Sequence, residues 1–108
     1  MKTYPSRVGV IASGDLSHRL IQDAPGSFSK AGKVFDEKLV NDLKNQKTDE
    51  ILYFEKDFVE DAGECGYRSI LILLGILDRI SVKPEVLSYE GPFGVGYLVA
   101  NYKLLNNE

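Results

Sequence analysis

A chain of 108 residues with 13 basic and 16 acidic side chains, a formal net charge of −3, and 44% hydrophobic and 27% charged residues has room for one small domain of ordinary globular composition. No basic stripe stands out, which argues against nucleic acid or an anionic membrane surface as a partner. The single cysteine, Cys65, cannot close an internal disulfide and fits a cytoplasmic setting; Met1–Arg7 lacks the apolar region of a signal peptide, and Ile70–Leu77, broken by Gly75, is far short of the roughly 20 residues a bilayer span needs.

In chain order, Arg7-Val8-Gly9-Val10-Ile11-Ala12 is a nearly continuous apolar run, the pattern of a strand buried on both faces. It ends at the polar cluster Ser13-Gly14-Asp15, after which Leu16–Leu20 reads as a short helix. Gln22–Lys33, with Pro25, Gly26 and Gly32, reads as a loop. Phe35, Leu39, Val40 and Leu43 recur at helical spacing and predict an amphipathic helix over about Val34–Asn45. Thr48-Asp49 is positioned to cap a further helical piece with Ile51, Leu52 and Phe54 inward, and Phe58 and Val59 continue the pattern towards Ala62-Gly63.

Glu64–Arg79 is the strongest helix, apolar all round through Ile70, Leu71, Ile72, Leu73, Leu74, Ile76 and Leu77, and so expected to be buried on every side. Lys83–Tyr89 reads as an edge strand, because Pro84 has no N–H for a ladder. Glu90–Gly96, with Pro92 and repeated glycine, reads as an irregular loop, Val95–Leu105 as a final strand, and Asn106-Asn107-Glu108 as a frayed end. The order implies an α/β chain, a partial mixed sheet flanked by helices. A domain of this length hides only about two-thirds of its unfolded surface. Three strands and one very apolar helix leave faces uncovered, which points to a missing neighbour.

Few residues carry chemistry. His18 is the only histidine, just beyond the carboxyl end of the first expected strand, where open α/β sheets bind ligands. An imidazole there can take or give a proton near neutrality, although an isolated histidine is more often inert. Ser17 beside it is not paired as a nucleophile, since adjacent side chains rarely face one another, and reads as a helix cap. Glu64 opens the apolar helix; it is either a dipole partner or a carboxylate metal ligand of the kind that joins two imidazoles around non-haem Fe(II). Cys65 has no second Cys or His at zinc spacing and reads as a small buried apolar residue. Gly94-Val95-Gly96 precedes a strand, so dinucleotide binding is not indicated, and Tyr89 and Glu90 read as closing their strand.

Three of these segments together resemble one family. Ala12-Ser13-Gly14-Asp15-Leu16-Ser17-His18-Arg19-Leu20 is similar to the histidine-bearing turn of LigB-like (class III extradiol) dioxygenases. Glu60-Asp61-Ala62-Gly63-Glu64-Cys65-Gly66-Tyr67-Arg68-Ser69, running into Ile70–Gly75, resembles that family's glutamate-bearing helix start. Ser88-Tyr89-Glu90-Gly91-Pro92-Phe93-Gly94-Val95-Gly96-Tyr97 resembles the ending of the AmmeMemoRadiSam system protein B branch. The likeness runs from about Arg7 to Tyr102 and implies that residues 1–108 form a single C-terminal segment of a LigB-like domain. It further implies Fe(II) as cofactor, a small aromatic substrate of the catechol type opened with dioxygen, His18 as acid/base and Glu64 as the carboxylate ligand, with Asp15 and Ser17 shaping the turn. The two ligand histidines of that family would precede this segment, so the resemblance also implies a missing N-terminal half or a partner chain. A non-catalytic binding or assembly module of the same fold, pairing with another protein or itself through exposed apolar faces, is the alternative expectation. A hydrolase using His18 with Ser17 or Glu64 is the weakest, for want of an activated nucleophile.

Overall fold

A computed structural model describes residues 7–24 and 26–105. Met1–Ser6, Pro25 of the expected loop and the expected frayed end Asn106-Asn107-Glu108 lie outside the described residues. Four helices precede two strands: α1 (Lys30–Lys44), α2 (Thr48–Leu52), α3 (Lys56–Ala62), α4 (Tyr67–Ile76), β1 (Val82–Glu90) and β2 (Tyr97–Leu104). Helices and sheet together fit the expected α/β class. Among the described residues the sheet is an antiparallel pair, running from Val82 opposite Leu104 to Glu90 opposite Tyr97, with a register shift between Val86 and Ser88. Pro84 is tolerated because both strands of a two-stranded sheet are edges.

The hub is α1, which touches α2, α3 and β1. It begins earlier than its apolar spacing suggests because Ser29, in an extended conformation, caps it by accepting from the Ala31 amide. Phe35, Leu39 and Leu43, each four residues apart on one face, are buried against Ile51, Ala62, Tyr67, Leu74 and Leu16. Phe35 lies in an aromatic cluster, with ring centroids 5.8 Å from Phe54, 5.8 Å from Phe58 and 6.2 Å from Tyr67. Such pairs add about 0.5–1.5 kcal/mol each beyond the area they bury. Two hydroxyls tie elements together: Tyr67 donates to the Ile51 carbonyl and Tyr102 to the Leu43 carbonyl, both at 2.5 Å. Burial lifts the Tyr102 phenol to about 12, so it stays a donor across the physiological range.

Four expectations are corrected. Arg7–Ala12 is not a buried strand; it joins no ladder, and Ile11 is 90% exposed. A strand is held by partners, and among the described residues none lies beside it. Leu16–Leu20 is not a helix, because the Leu16, His18 and Leu20 amides are drawn to carbonyls from other parts of the chain and the Ser17 amide to the Asp36 carboxylate. The cap of α2 is not Thr48-Asp49: Lys47 occupies that position without a side-chain bond, and Asp49 and Glu50 instead face the helix dipole in the first turn. Finally, α4 is not covered all round. Tyr67 and Leu74 are buried, whereas Ile72 is 66% exposed and Ile76 is exposed, because packing reaches one side only.

Candidate functional site

The segment that carries His18 is stitched on both sides. Leu16 N donates to Gly96 O (2.9 Å), Gly96 N to Ser17 O (2.8 Å) and Leu20 N to Gly94 O (3.0 Å). On the other side His18 N donates to Gly63 O (2.8 Å), and Gly26 N returns a bond to His18 O (2.9 Å). These bonds satisfy the buried backbone polar groups without regular structure. Ser17, fully buried, donates through Oγ to Ala62 O (2.6 Å) and accepts from Arg19 N (2.9 Å). It therefore caps a carbonyl at the end of α3 and not a helix of its own.

Asp36 of α1 is buried beneath this segment. It accepts from Ser17 N (2.9 Å) and from the Tyr89 hydroxyl of β1. Burial raises the Asp36 carboxyl above its ordinary value, although both hydrogen bonds and the nearby His18 act in the opposite direction. Burial, then the Asp36 contact, also pushes the Tyr89 phenol strongly up. Tyr89 thus does more than close a strand: it locks β1 to α1 directly under the histidine loop.

Opposite lies the turn between α3 and α4. Gly63 ends α3 in the left-handed conformation (φ 62°), which glycine adopts without steric penalty. Gly14 and Gly66 then meet face to face. A Cβ on Gly14 would lie 2.6 Å from Gly66 Cα, and one on Gly66 would lie 2.9 Å from Asp15 O. The close approach permits a reciprocal pair: Cys65 N donates to Asp15 O (3.2 Å) and Asp15 N to Cys65 Sγ (3.1 Å).

The outcome is a cluster in which one ligand atom each from Asp15, His18 and Cys65 lie within 4.8 Å of one another. Asp15 and His18 are half-buried and Cys65 is exposed, a correction to its expected burial. Among the described residues, His18 Nε2 is a buried side-chain nitrogen without a hydrogen-bond partner. An unsatisfied group of this kind costs about 1–3 kcal/mol unless a ligand or solvent meets it. Glu64 neighbours the cluster in sequence, and the two segments proposed to carry chemistry converge through the His18–Gly63 bond. The Glu64 carboxylate itself accepts from Tyr67 N at 2.5 Å, holding the first turn of α4.

Cys65 and Asp15 were not legible as donors, since they are separated by 50 residues along the chain. The facing glycines that bring them together are visible in the sequence but have no partner assigned there. The donors present fit a metal in kind: an imidazole, carboxylates and a thiol. With one histidine in the chain, two imidazoles and a carboxylate cannot be completed from these residues.

An open depression is lined by Val10, Ile11, Ala12 and Ser13 on one side and Ser69, Ile72 and Leu73 of α4 on the other. No helix among the described residues is long and apolar enough to cross a membrane.

Comparison with known proteins agrees with the motif pattern. Protein CA_C1420 of Clostridium acetobutylicum is 49% identical over 98 residues, which cover 91% of this chain and 21% of that protein. The chain therefore spans about a fifth of the length of this relative. The family model described as the catalytic LigB subunit of aromatic ring-opening dioxygenase matches residues 1–100, and the chain belongs to that family.

Proposed function

We propose that this chain supplies part of a metal-dependent ring-opening dioxygenase site, with His18 as the acid/base group and Glu64 as a carboxylate donor to Fe(II). The observation that carries the reading is the convergence of the histidine loop and the α3–α4 turn, joined by the His18–Gly63 hydrogen bond, within a chain of the LigB family. Bound Fe(II) would supply Lewis acidity and a seat for oxygen and substrate. The chain's own part is to hold a proton at the His18 ring, in a loop fixed by Ser17, Asp36 and Gly63, where it can be exchanged with a hydroxyl of a catechol-type substrate. The single thiol accords with a reducing, cytoplasmic setting.

The exposed apolar face of residues 8–12 and α4 favours a second component of the same reading: this face packs against further protein, which brings the remaining imidazole donors. That the matching region makes up only 21% of a much longer relative supports this. In an assembly containing those donors, His18→Gln should leave Fe(II) content intact and cut oxygen uptake with a catechol-type substrate by about 10²–10⁴-fold. Glu64→Ala should remove the iron. Full activity in His18→Gln, or full iron content in Glu64→Ala, would refute the corresponding role. An assembly module without chemistry would show neither iron nor oxygen uptake in any form.

A further inference from the structure

We propose that the open recess lined by Lys38 of α1, Glu50 of α2, Phe58 of α3 and the connecting residues Tyr53, Phe54 and Glu55 is a docking site for an arginine-bearing segment of a partner protein. The recess shares no residue with the histidine loop or the α3–α4 turn, and the inference does not rest on the ring-opening reading.

Three observations converge on a cationic occupant. First, the recess already holds a cation of its own. The Lys38 ammonium stands 5.5 Å from the centroid of the Phe54 ring and pairs with Asp42 (3.1 Å) and Glu50 (3.0 Å). Second, one carboxylate is left over. Lys38 is matched by Asp42 and Glu50, whereas among the described residues Glu55 makes no ion pair and gives no side-chain bond to the start of α3. The surroundings reinforce it. From Lys47 to Asp61 the chain carries six carboxylates, all exposed, against two lysines, so this stretch is more negative than the whole chain at −3. A field of that sign draws a basic segment in and repels phosphate, which sets nucleic acid and anionic membrane aside. Third, an aromatic side chain lies open beside the spare carboxylate. Tyr53 is 82% exposed, next to the exposed Leu52, although a phenol ring is a large apolar surface to leave in water.

The geometry favours arginine over lysine. Phe54 is already engaged: it stacks on Tyr67 at 5.7 Å and 11°, and Lys38 stands over it. An incoming group must therefore use Tyr53 and the half-buried Phe58. A guanidinium is planar and weakly hydrated. It can lie against a ring and still present N–H groups to a carboxylate, whereas an ammonium offers only a point charge. Exposed aromatic anchors rimmed by charge are also the common anatomy of contact surfaces in which arginine and tyrosine carry the binding energy.

An NMR titration of the 15N-labelled chain with the peptide acetyl-Gly-Arg-Gly-Arg-Gly-amide tests this. The expected result is a saturable shift of backbone amides confined to residues 50–58, weakened by added salt. Tyr53→Ala and Glu55→Gln should each weaken binding by about two- to fivefold, the size of one exposed cation–ring contact or ion pair. Both positions are exposed, so neither change threatens the fold. The same peptide with citrulline in place of arginine, matched in shape but uncharged, should not saturate, and the lysine version should bind more weakly than the arginine one. Absence of any shift at roughly 10 mM peptide, tenfold above a millimolar Kd, would overturn the site. So would a lysine or citrulline peptide that binds as well as the arginine peptide. Shifts spread evenly over residues 47–61 and indifferent to Tyr53→Ala would reduce the effect to general charge attraction and end the proposal. Shifts of the same amides that grow with protein concentration, without peptide, would give the recess to a second copy of the chain instead. None of these results bears on His18 or Glu64.

Discussion

Two neighbouring regions of this chain differ sharply in how complete they are. The loop pair around Asp15, His18 and Cys65 is irregular, yet its backbone is stitched by hydrogen bonds to Gly63, Gly94, Gly96 and Gly26, and its buried serine and aspartate have partners. The adjoining run Arg7–Ala12 and the outer face of α4 are far more apolar, yet among the described residues they lie largely exposed and outside any ladder. Polar loops can be satisfied one bond at a time by nearby carbonyls and amides. A doubly apolar strand and a helix apolar all round need whole surfaces laid against them. Local completeness here therefore follows the chemistry of the segment and not its hydrophobicity.

The largest effect that would break this contrast is at the glycine contact. Gly66→Ala places a methyl against Asp15 O and should cost about 1–3 kcal/mol in denaturant unfolding, the usual range for overpacking. A neutral result would show that the loop pair is loosely held.

Asp36 sharpens the comparison through pH. Its folded carboxyl is raised, so its contribution to stability is fully present below the ordinary carboxylate value of 3.8 and is lost as pH rises through the higher folded value. Asp36→Asn, which retains an acceptor for the Ser17 amide, should flatten that part of the stability–pH curve. An unchanged curve would mean that the carboxyl is not buried as described.

The smallest effect belongs to the apolar face. Ile72→Ser should change the unfolding free energy by less than about 0.5 kcal/mol, as for exposed positions in general. The same change should lower any self-association seen by light scattering. A loss of more than 2 kcal/mol, on the order of a buried residue's truncation, would show the face to be covered within the chain itself.

Much was legible in the linear order. The helical spacing of Phe35, Leu39 and Leu43, the helical pattern running towards Ala62-Gly63, the apolar helix after Glu64 and the two late strands around a glycine loop all follow from periodicity and turn chemistry, which act over a few residues. The motifs around His18 and Glu64 marked the family for the same reason, since each is a short contiguous pattern. What periodicity could not supply was the outcome for residues 7–20, where an expected buried strand and short helix became an exposed run and a stitched loop. An apolar run states a demand for neighbours but does not say whether they are present.

By itself, then, the sequence determined the helices and strands that follow residue 30, the family and the two stretches that carry ionisable side chains. The tertiary structure alone decided that Cys65 and Asp15 join His18, that Asp36 and Tyr89 lie beneath it, and that Glu64 grips the first turn of α4. These contacts depend on Gly14 and Gly66 approaching closely enough for two backbones to touch, which is set by three-dimensional closure across some fifty residues and not by any local preference.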